Sequence, residues 1–279
     1  SGNTRGSLAR GGNPIHRSQL DCSFLLPIVH LLIDNSNTLT KFALDLGGEL
    51  SEWRGVIATS DLSKTSIQNT LHSQTFERIT LCSVVPDSTI LIKTIFDQPI
   101  HHISHQSKMP ITIDYPNPSK IGADRLANAS AAILDRQGPA IVIDFGTAVT
   151  FDVISKIGSY LGGVIAPGTA SLRDYLHQKT ALLPAIQLEE PNSIIGRSTE
   201  EAMQVGAVIG YRGLIREILS ELRRELGGTP TILATGGDAE LIGKGISDID
   251  IIDQDLTMKG IQVIGQATVS YTHLTLPTI

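Results

Sequence analysis

Two stretches of the chain pass from an apolar run through a short polar turn into a second apolar run in the same way. Leu31-Leu32-Ile33 ends in Asp34, continues through Asn35-Ser36-Asn37-Thr38, and leads into a strand-like run from Leu39 to Leu44. Ile141-Val142-Ile143 ends in Asp144, continues through Phe145-Gly146-Thr147, and leads into Ala148 to Ile154. Aligning Asp34 with Asp144 brings Thr40 onto Thr150. Short apolar runs bounded by turn residues predict β-hairpins, and the repetition predicts two similar half-domains. A buried strand that delivers a carboxylate to its C-terminal end, followed by a turn with free backbone N–H groups, suits a metal-bound phosphate. Two ordinary hairpins whose Asp and Asn satisfy turn geometry would use the same residue types. The repeated acidic position weighs against that account.

Between and after the hairpins the pattern alternates. Trp53 and Val56 to Ala58 extend a strand, and Leu62, Ile67 and Leu71 predict a helix over Asp61–His72 capped by Asp61. The β-branched run Arg78 to Val85, closed by Pro86, predicts a buried strand, and a helix over Asp87–Phe96 follows. His101, His102 and His105 have no acidic or cysteine partner at ligand spacing and are expected in a solvated loop. Tyr115 to Lys120 is a proline-set extended loop ahead of an Ala-rich helix over 121–134, with Asp124 and Arg125 in its first turn. There Asp124 complements the helix dipole, while Gly122-Ala123 leaves room for a ligand or another backbone to approach closely.

Gln137-Gly138-Pro139 punctuates the boundary before the second hairpin. The glycine-dense strand Tyr160 to Gly168 implies backbone packed closely against a neighbour. A helix over Ala170 to Gln178 and a loop over Thr180 to Pro184 come next. The capping box Ser198 to Glu201 opens the longest helix, which runs to Leu226 and carries Gly206, Gly210 and Gly213 near one face, a pattern suited to close helix packing such as a dimer contact. Thr231 to Ile242 reads as strand, glycine turn and helix, and the bare backbone of Gly236-Gly237 could support a nucleotide's phosphates or base.

The 279 residues suffice for two half-domains, divided as 29–137 and 138–268. Residues 1–28, basic and acid-poor, read as a mobile leader, a targeting segment or foreign sequence, and 269–279 as a frayed or foreign tail. With 18% charged and 41% apolar residues, the composition is that of a globular protein. A net charge of −6 disfavours nucleic acid as a partner, and no apolar run reaches the length of about 18 residues needed to span a membrane. Cys22 and Cys82 lack metal-ligand spacing, which fits a reducing cytoplasmic setting.

Eight motifs occur in order: IDNSNT, CSVVP, YPNPSKIGADR, VIDFGTAVTFD, YLGGVIAPG, TALLP, IGRSTEEA and ATGGDAELI. Together they resemble type III pantothenate kinases, over about residues 31–264, within the superfamily of acetate and sugar kinases, Hsp70 and actin. The resemblance implies an α/β fold of duplicated actin-like (ribonuclease H-like) half-domains with a nucleotide cleft between them. It implies ATP-dependent phosphorylation of pantothenate, the first step of coenzyme A biosynthesis, by a cytoplasmic homodimer using Mg²⁺ and K⁺ or NH₄⁺. By position, Asp34, Asn35, Ser36, Asn37, Thr38, Leu39, Thr40 and Lys41 would form the first ATP loop, with Asp34 holding Mg²⁺ directly or through water. Thr147, Gly236 and Gly237 would also contact ATP, and Asp144 would bind the monovalent cation. Asp124 would be the general base, in a pantothenate pocket with Tyr115, Gly122, Ala123, Arg125 and Thr180.

The family has glycine where this chain has Ser36. If the turn needs positive φ, a side chain there costs about 1–2 kcal/mol, and Ser36→Gly is expected to improve ATP affinity. A catalytically weak nucleotide-binding homologue with a regulatory or accessory role is the alternative reading.

Overall fold

The computed structural model describes residues 28–134 and 138–272. The expected leader therefore lies outside the described residues except for Ile28, as does the boundary residue Gln137.

The first hairpin is β1 (His30–Asn35) with β2 (Leu39–Asp45), and β3 (Leu50–Ala58) continues it antiparallel. β4 (Arg78–Ser83) and β5 (Ile100–His102) add parallel strands on the other side of β1, giving the order β3-β2-β1-β4-β5. The short strand β6 (Thr112–Ile113) belongs to the other sheet. There β7 (Ala140–Phe145), β8 (Ala148–Ile154) and β9 (Ser159–Pro167) repeat the antiparallel set. β10 (Thr231–Thr235) and β11 (Ile251–Ile252) repeat the parallel pair, giving β11-β10-β7-β8-β9-β6. Apart from β6, the connectivity of one sheet is that of the other. The fold is α/β with duplicated actin-like halves.

Helices α1 (Lys64–Leu71) and α2 (Pro86–Ile95) cover the outer face of the first sheet, where Leu31, Ile33, Ile67 and Ile92 are buried together. The cap of α1 is Ser63 rather than the expected Asp61, because Ser63 and Ser66 form a reciprocal capping box while Asp61 ends a 3-10 turn. The histidine segment also departs from expectation. His101 and His102 lie half-buried in β5, whose parallel pairing with β4 supplies the backbone partners that a solvated loop would lack.

Between the sheets lie α3 (Ala123–Ala132) and α7 (Leu256–Thr272). Helix α3 is buried on two sides: Ala123 and Ala127 pack with Leu32 of the first sheet, and Leu126 and Ala129 with Val142 of the second. Its alanines allow this, since α7 crosses so closely that a Cβ on Gly260 would overlap the Ala127 backbone. Helix α7 continues through Thr272, into the segment expected to be tail. It belongs by sequence to the second half, yet Ile261 and Ile264 pack against the first sheet.

Helix α4 (Thr169–Lys179) follows β9. The long helix expected from Ser198 to Leu226 forms as α5 (Thr199–Val205), a π-helical segment Gly206–Gly210, and α6 (Tyr211–Leu226). Tyr211, Ile215 and Leu219 cover the outer face of the second sheet. No described helix is long and apolar enough to cross a membrane.

Candidate active site

Strand parity delivers both hairpin carboxylates to one place. In β1, Leu31 and Ile33 face α1 and α2 while Leu32 faces α3, so Asp34 also points to the α3 side. In β7, Ile141 and Ile143 face α6 while Val142 faces α3, which puts Asp144 on the α3 side as well. A cleft of about 580 Å³ opens there, lined by both hairpin turns, Asp124 and the glycine turn after β10. The two turns touch, with the Thr38 and Thr147 hydroxyl oxygens 2.7 Å apart.

Of the expected first ATP loop, Asp34, Ser36, Asn37, Thr38, Leu39 and Lys41 line this cleft. Asp144, Thr147, Gly236 and Gly237 join them. Asn35 and Thr40 do not line it. They have the opposite strand parity and are buried, with Asn35 Nδ2 donating to Thr40 Oγ1 at 2.8 Å and Ser83 donating to Asn35 Oδ1 at 2.7 Å. They brace the loop from behind.

Ser36 is part of the turn's own bonding. Its N–H and its hydroxyl both donate to the Leu39 carbonyl, at 3.1 and 2.9 Å, and its carbonyl accepts from Thr59 Oγ1 at 2.8 Å. The equivalent residue of the second turn, Gly146, is not at positive φ, and a Cβ there would meet Ala148 O at 3.4 Å and Asp144 Oδ1 at 3.6 Å, ordinary contacts. The duplicated turn thus has room for a side chain at this position, which counts against the expected gain from Ser36→Gly.

Three carboxylates converge in the cleft. Burial pushes Asp34 up to about 7, with Asp144 and Asp124 adding to the shift and Lys41 opposing it. Burial also raises Asp144, against a hydrogen bond that Asn128 Nδ2 donates to its Oδ2 at 3.2 Å. Asp124 is raised by burial while Arg125 N–H, 2.8 Å from Oδ1, opposes. A Cβ on Gly122 would overlap the Asp124 carboxylate, so this glycine provides room for it. The Asp34 carboxylate accepts no hydrogen bond from protein among the described residues, and only one oxygen of the Asp144 carboxylate is engaged. Hard, partly unpaired carboxylate oxygens suit Mg²⁺ or K⁺ in chemistry, while among the described residues no three His, Cys, Asp or Glu side chains are grouped closely enough to hold a metal ion by themselves.

A second cluster lies behind Asp124. Arg125 Nε donates to Asp152 Oδ1 at 2.6 Å, Tyr160 OH donates to the same oxygen at 3.1 Å, and Arg125 Nη2 reaches Phe151 O at 3.2 Å. Tyr115 packs edge-to-face on Tyr160 with centroids 6.2 Å apart, and a Cβ on Gly162 would come within 3.2 Å of the Tyr115 ring. Tyr115, Gly122, Ala123 and Arg125 are thus grouped around the start of α3, outside the lining of the main cleft. Thr180 is not brought to them: exposed at the end of α4, it donates to Leu176 O at 2.9 Å.

Sequence reasoning assigned no role to Asn128, Asp152, Asp238 or Thr257. Thr257 Oγ1 donates to Asn128 Oδ1 at 2.8 Å, and Asp238 accepts from the Thr169 hydroxyl beside the glycine turn. Asn128 and Asp152 carry a signal: Asn128 is one helical turn beyond Asp124, and Asp152 is a carboxylate inside an apolar strand.

Duplicated halves whose acidic hairpins meet at a shared cleft define this chain as a two-lobed α/β protein with a polar cleft suited to a phosphorylated ligand. The family model for type III pantothenate kinase matches residues 30–221, and the chain belongs to that family. It is 49% identical over 236 residues to a type III pantothenate kinase of Akkermansia muciniphila, covering 85% of this chain and 98% of the relative. A type III pantothenate kinase of Methylacidiphilum infernorum is 41% identical over 249 residues, covering 88% and 92% of the two chains. The crystal structure of a protein described as a conserved Baf family transcriptional activator from Campylobacter jejuni shares the fold. It has a TM-score of 0.58 and 21% identity over 86% of this chain and 99% of that one.

Proposed function

We propose that the chain transfers the γ-phosphoryl group of ATP to the primary hydroxyl of pantothenate, the first step of coenzyme A biosynthesis, with Asp124 as the general base. The observation that carries this reading is the convergence of Asp34, Asp124 and Asp144 on one cleft, in a chain of the type III pantothenate kinase family. The two hairpin turns and the Gly236-Gly237 turn would hold ATP, and Asn35 and Thr40 would fix the first turn from behind.

Asp34 would hold Mg²⁺ and Asp144 the monovalent cation, which when bound neutralise phosphate charge. Asp124 then has a defined task. Burial makes its carboxylate a stronger proton acceptor than an exposed one, and its place in the first turn of α3 keeps it at the cleft wall. Tyr115, Arg125 and the backbone around Gly122 and Ala123 would bind the far end of pantothenate, where a guanidinium suits a carboxylate.

A homodimer accounts for two features left open in one chain. Gly206, Gly210 and Gly213 are exposed with nothing within 4 Å of where a Cβ would stand, and Ile165, Tyr175, Leu182 and Ile195 are exposed large apolar residues. A cytoplasmic setting follows from coenzyme A synthesis.

ADP release, followed by a coupled assay with ATP, Mg²⁺ and pantothenate, tests the proposal. Release that requires pantothenate and falls sharply when sodium replaces potassium is expected. ADP formed without pantothenate would refute the acceptor, and a folded, nucleotide-binding protein that releases none would favour the silent homologue.

A further inference from the structure

Arg125 has five N–H donors arranged as two edges, one formed by Nε with Nη2 and one by Nη1 with Nη2. Asp152 and the Phe151 carbonyl occupy the first edge, at 2.6 and 3.2 Å. Among the described residues Nη1 has no protein partner. Asp152 itself is fully buried, and its Oδ2 makes no hydrogen bond.

A buried ion pair with an unsatisfied oxygen is a poor device for stability, because desolvation offsets most of the Coulomb attraction. What the pair does supply is orientation. The Tyr160 hydroxyl fixes the carboxylate, the carboxylate fixes Nε, and the guanidinium plane lies with its carbon 5.8 Å from the Tyr160 ring centroid. Gly163 leaves room, since a Cβ there would come within 3.0 Å of Nη2 and would overlap the Phe151 carbonyl.

We infer that Asp152 is a positioning residue for acceptor selection: by gripping the Nε edge of Arg125 it leaves the terminal edge set to take a substrate carboxylate in a two-point contact. This rests on the reading of the acceptor as pantothenate, an alcohol with a carboxylate at its far end. Bidentate guanidinium–carboxylate pairing depends on the angle of the fork as much as on charge, so a freely rotating Arg125 would lose discrimination.

The test compares pantothenate with its neutral analogue in which an alcohol replaces the carboxylate, in wild type, Asp152→Ala and Asp152→Asn. Asp152→Ala is expected to raise KM for pantothenate by about tenfold or more, equivalent to ~1.4 kcal/mol of binding, with kcat and the analogue's KM each within about twofold. Asp152→Asn keeps an acceptor oxygen and is expected to keep most of the selectivity. Should the alanine protein fail to fold, Asp152→Leu refills the volume without an acceptor and carries the same expectation. Parallel losses on both acceptors, or loss of selectivity in Asp152→Asn equal to that in Asp152→Ala, would overturn the inference alone. A wild-type protein with no pantothenate-dependent turnover would overturn the acceptor reading and the inference with it.

Discussion

Gly236 and Gly237 are adjacent in the turn after β10, proposed to hold ATP, yet the structure gives them opposite sensitivities. Gly236 has φ of 95°, a region in which an L side chain costs about 1–2 kcal/mol. A Cβ there would stand 2.6 Å from the carbon and oxygen of Phe145 and 2.6 Å from Asp144 Oδ1. Two of these atoms are backbone at the end of β7 and cannot move without shifting the hairpin turn, so overpacking adds about 1–3 kcal/mol. Gly236→Ala is therefore expected to destabilise by roughly 2–5 kcal/mol and to raise the ATP KM by displacing Asp144. Gly237 has no positive φ, and nothing lies within 4 Å of its Cβ position. Gly237→Ala is expected to change stability by no more than about 0.5 kcal/mol. Urea unfolding of the two proteins, with ATP titrations of each, makes the comparison. A loss below about 1 kcal/mol in Gly236→Ala with unchanged ATP KM, or equal losses in both, would refute the reasoning.

Asp124→Asn should keep the fold and nucleotide binding and lose at least about 100-fold in turnover, as the ADP-release assay would register. Ser36→Gly should hold or raise the ATP KM, because it deletes the hydroxyl bond to Leu39 O, and a lower KM would restore the strained-turn idea. His30, buried with Nε2 2.8 Å from Thr80 Oγ1, is pushed down by burial from 6.5 to about 4 and stays neutral in the fold. Its contribution of about 3 kcal/mol is present above pH 6.5 and lost as pH falls towards 4, so His30→Gln should flatten the urea-stability profile across that window.

What the sequence made legible follows the range of each interaction. Asp34 and Asp144 stand out because strand alternation is local and the motif repeats. The same alternation separates Asn35 and Thr40 from the cleft, a distinction lost when residues 34–41 are taken as one loop. Asp152 could not be paired with Arg125 from sequence, since the two come from a helix and a strand joined only by packing. Strand β6 is two residues long, too short for periodicity to register, and the course of α7 beneath the first sheet depends on Gly260 meeting Ala127. Motif position alone points to Thr180, and nothing local to it predicts that the end of α4 stands away from the cleft.

Helix α3 connects these features. Its first turn presents Asp124 to the cleft and sends Arg125 to Asp152 in the second sheet, and one turn later Asn128 donates to Asp144. Thr257 of α7 holds Asn128 in turn. Asp124, Arg125 and Asp144, the proposed base, acceptor-binding arginine and cation ligand, are thus held by one ten-residue rigid element packed between both sheets. A loop could carry the same residues, but it would not fix three separations at once, and phosphoryl transfer depends on positioning more than on covalent chemistry by the protein. The alanines of α3 serve that purpose, since larger residues would force the sheets apart and separate Asp34 from Asp144.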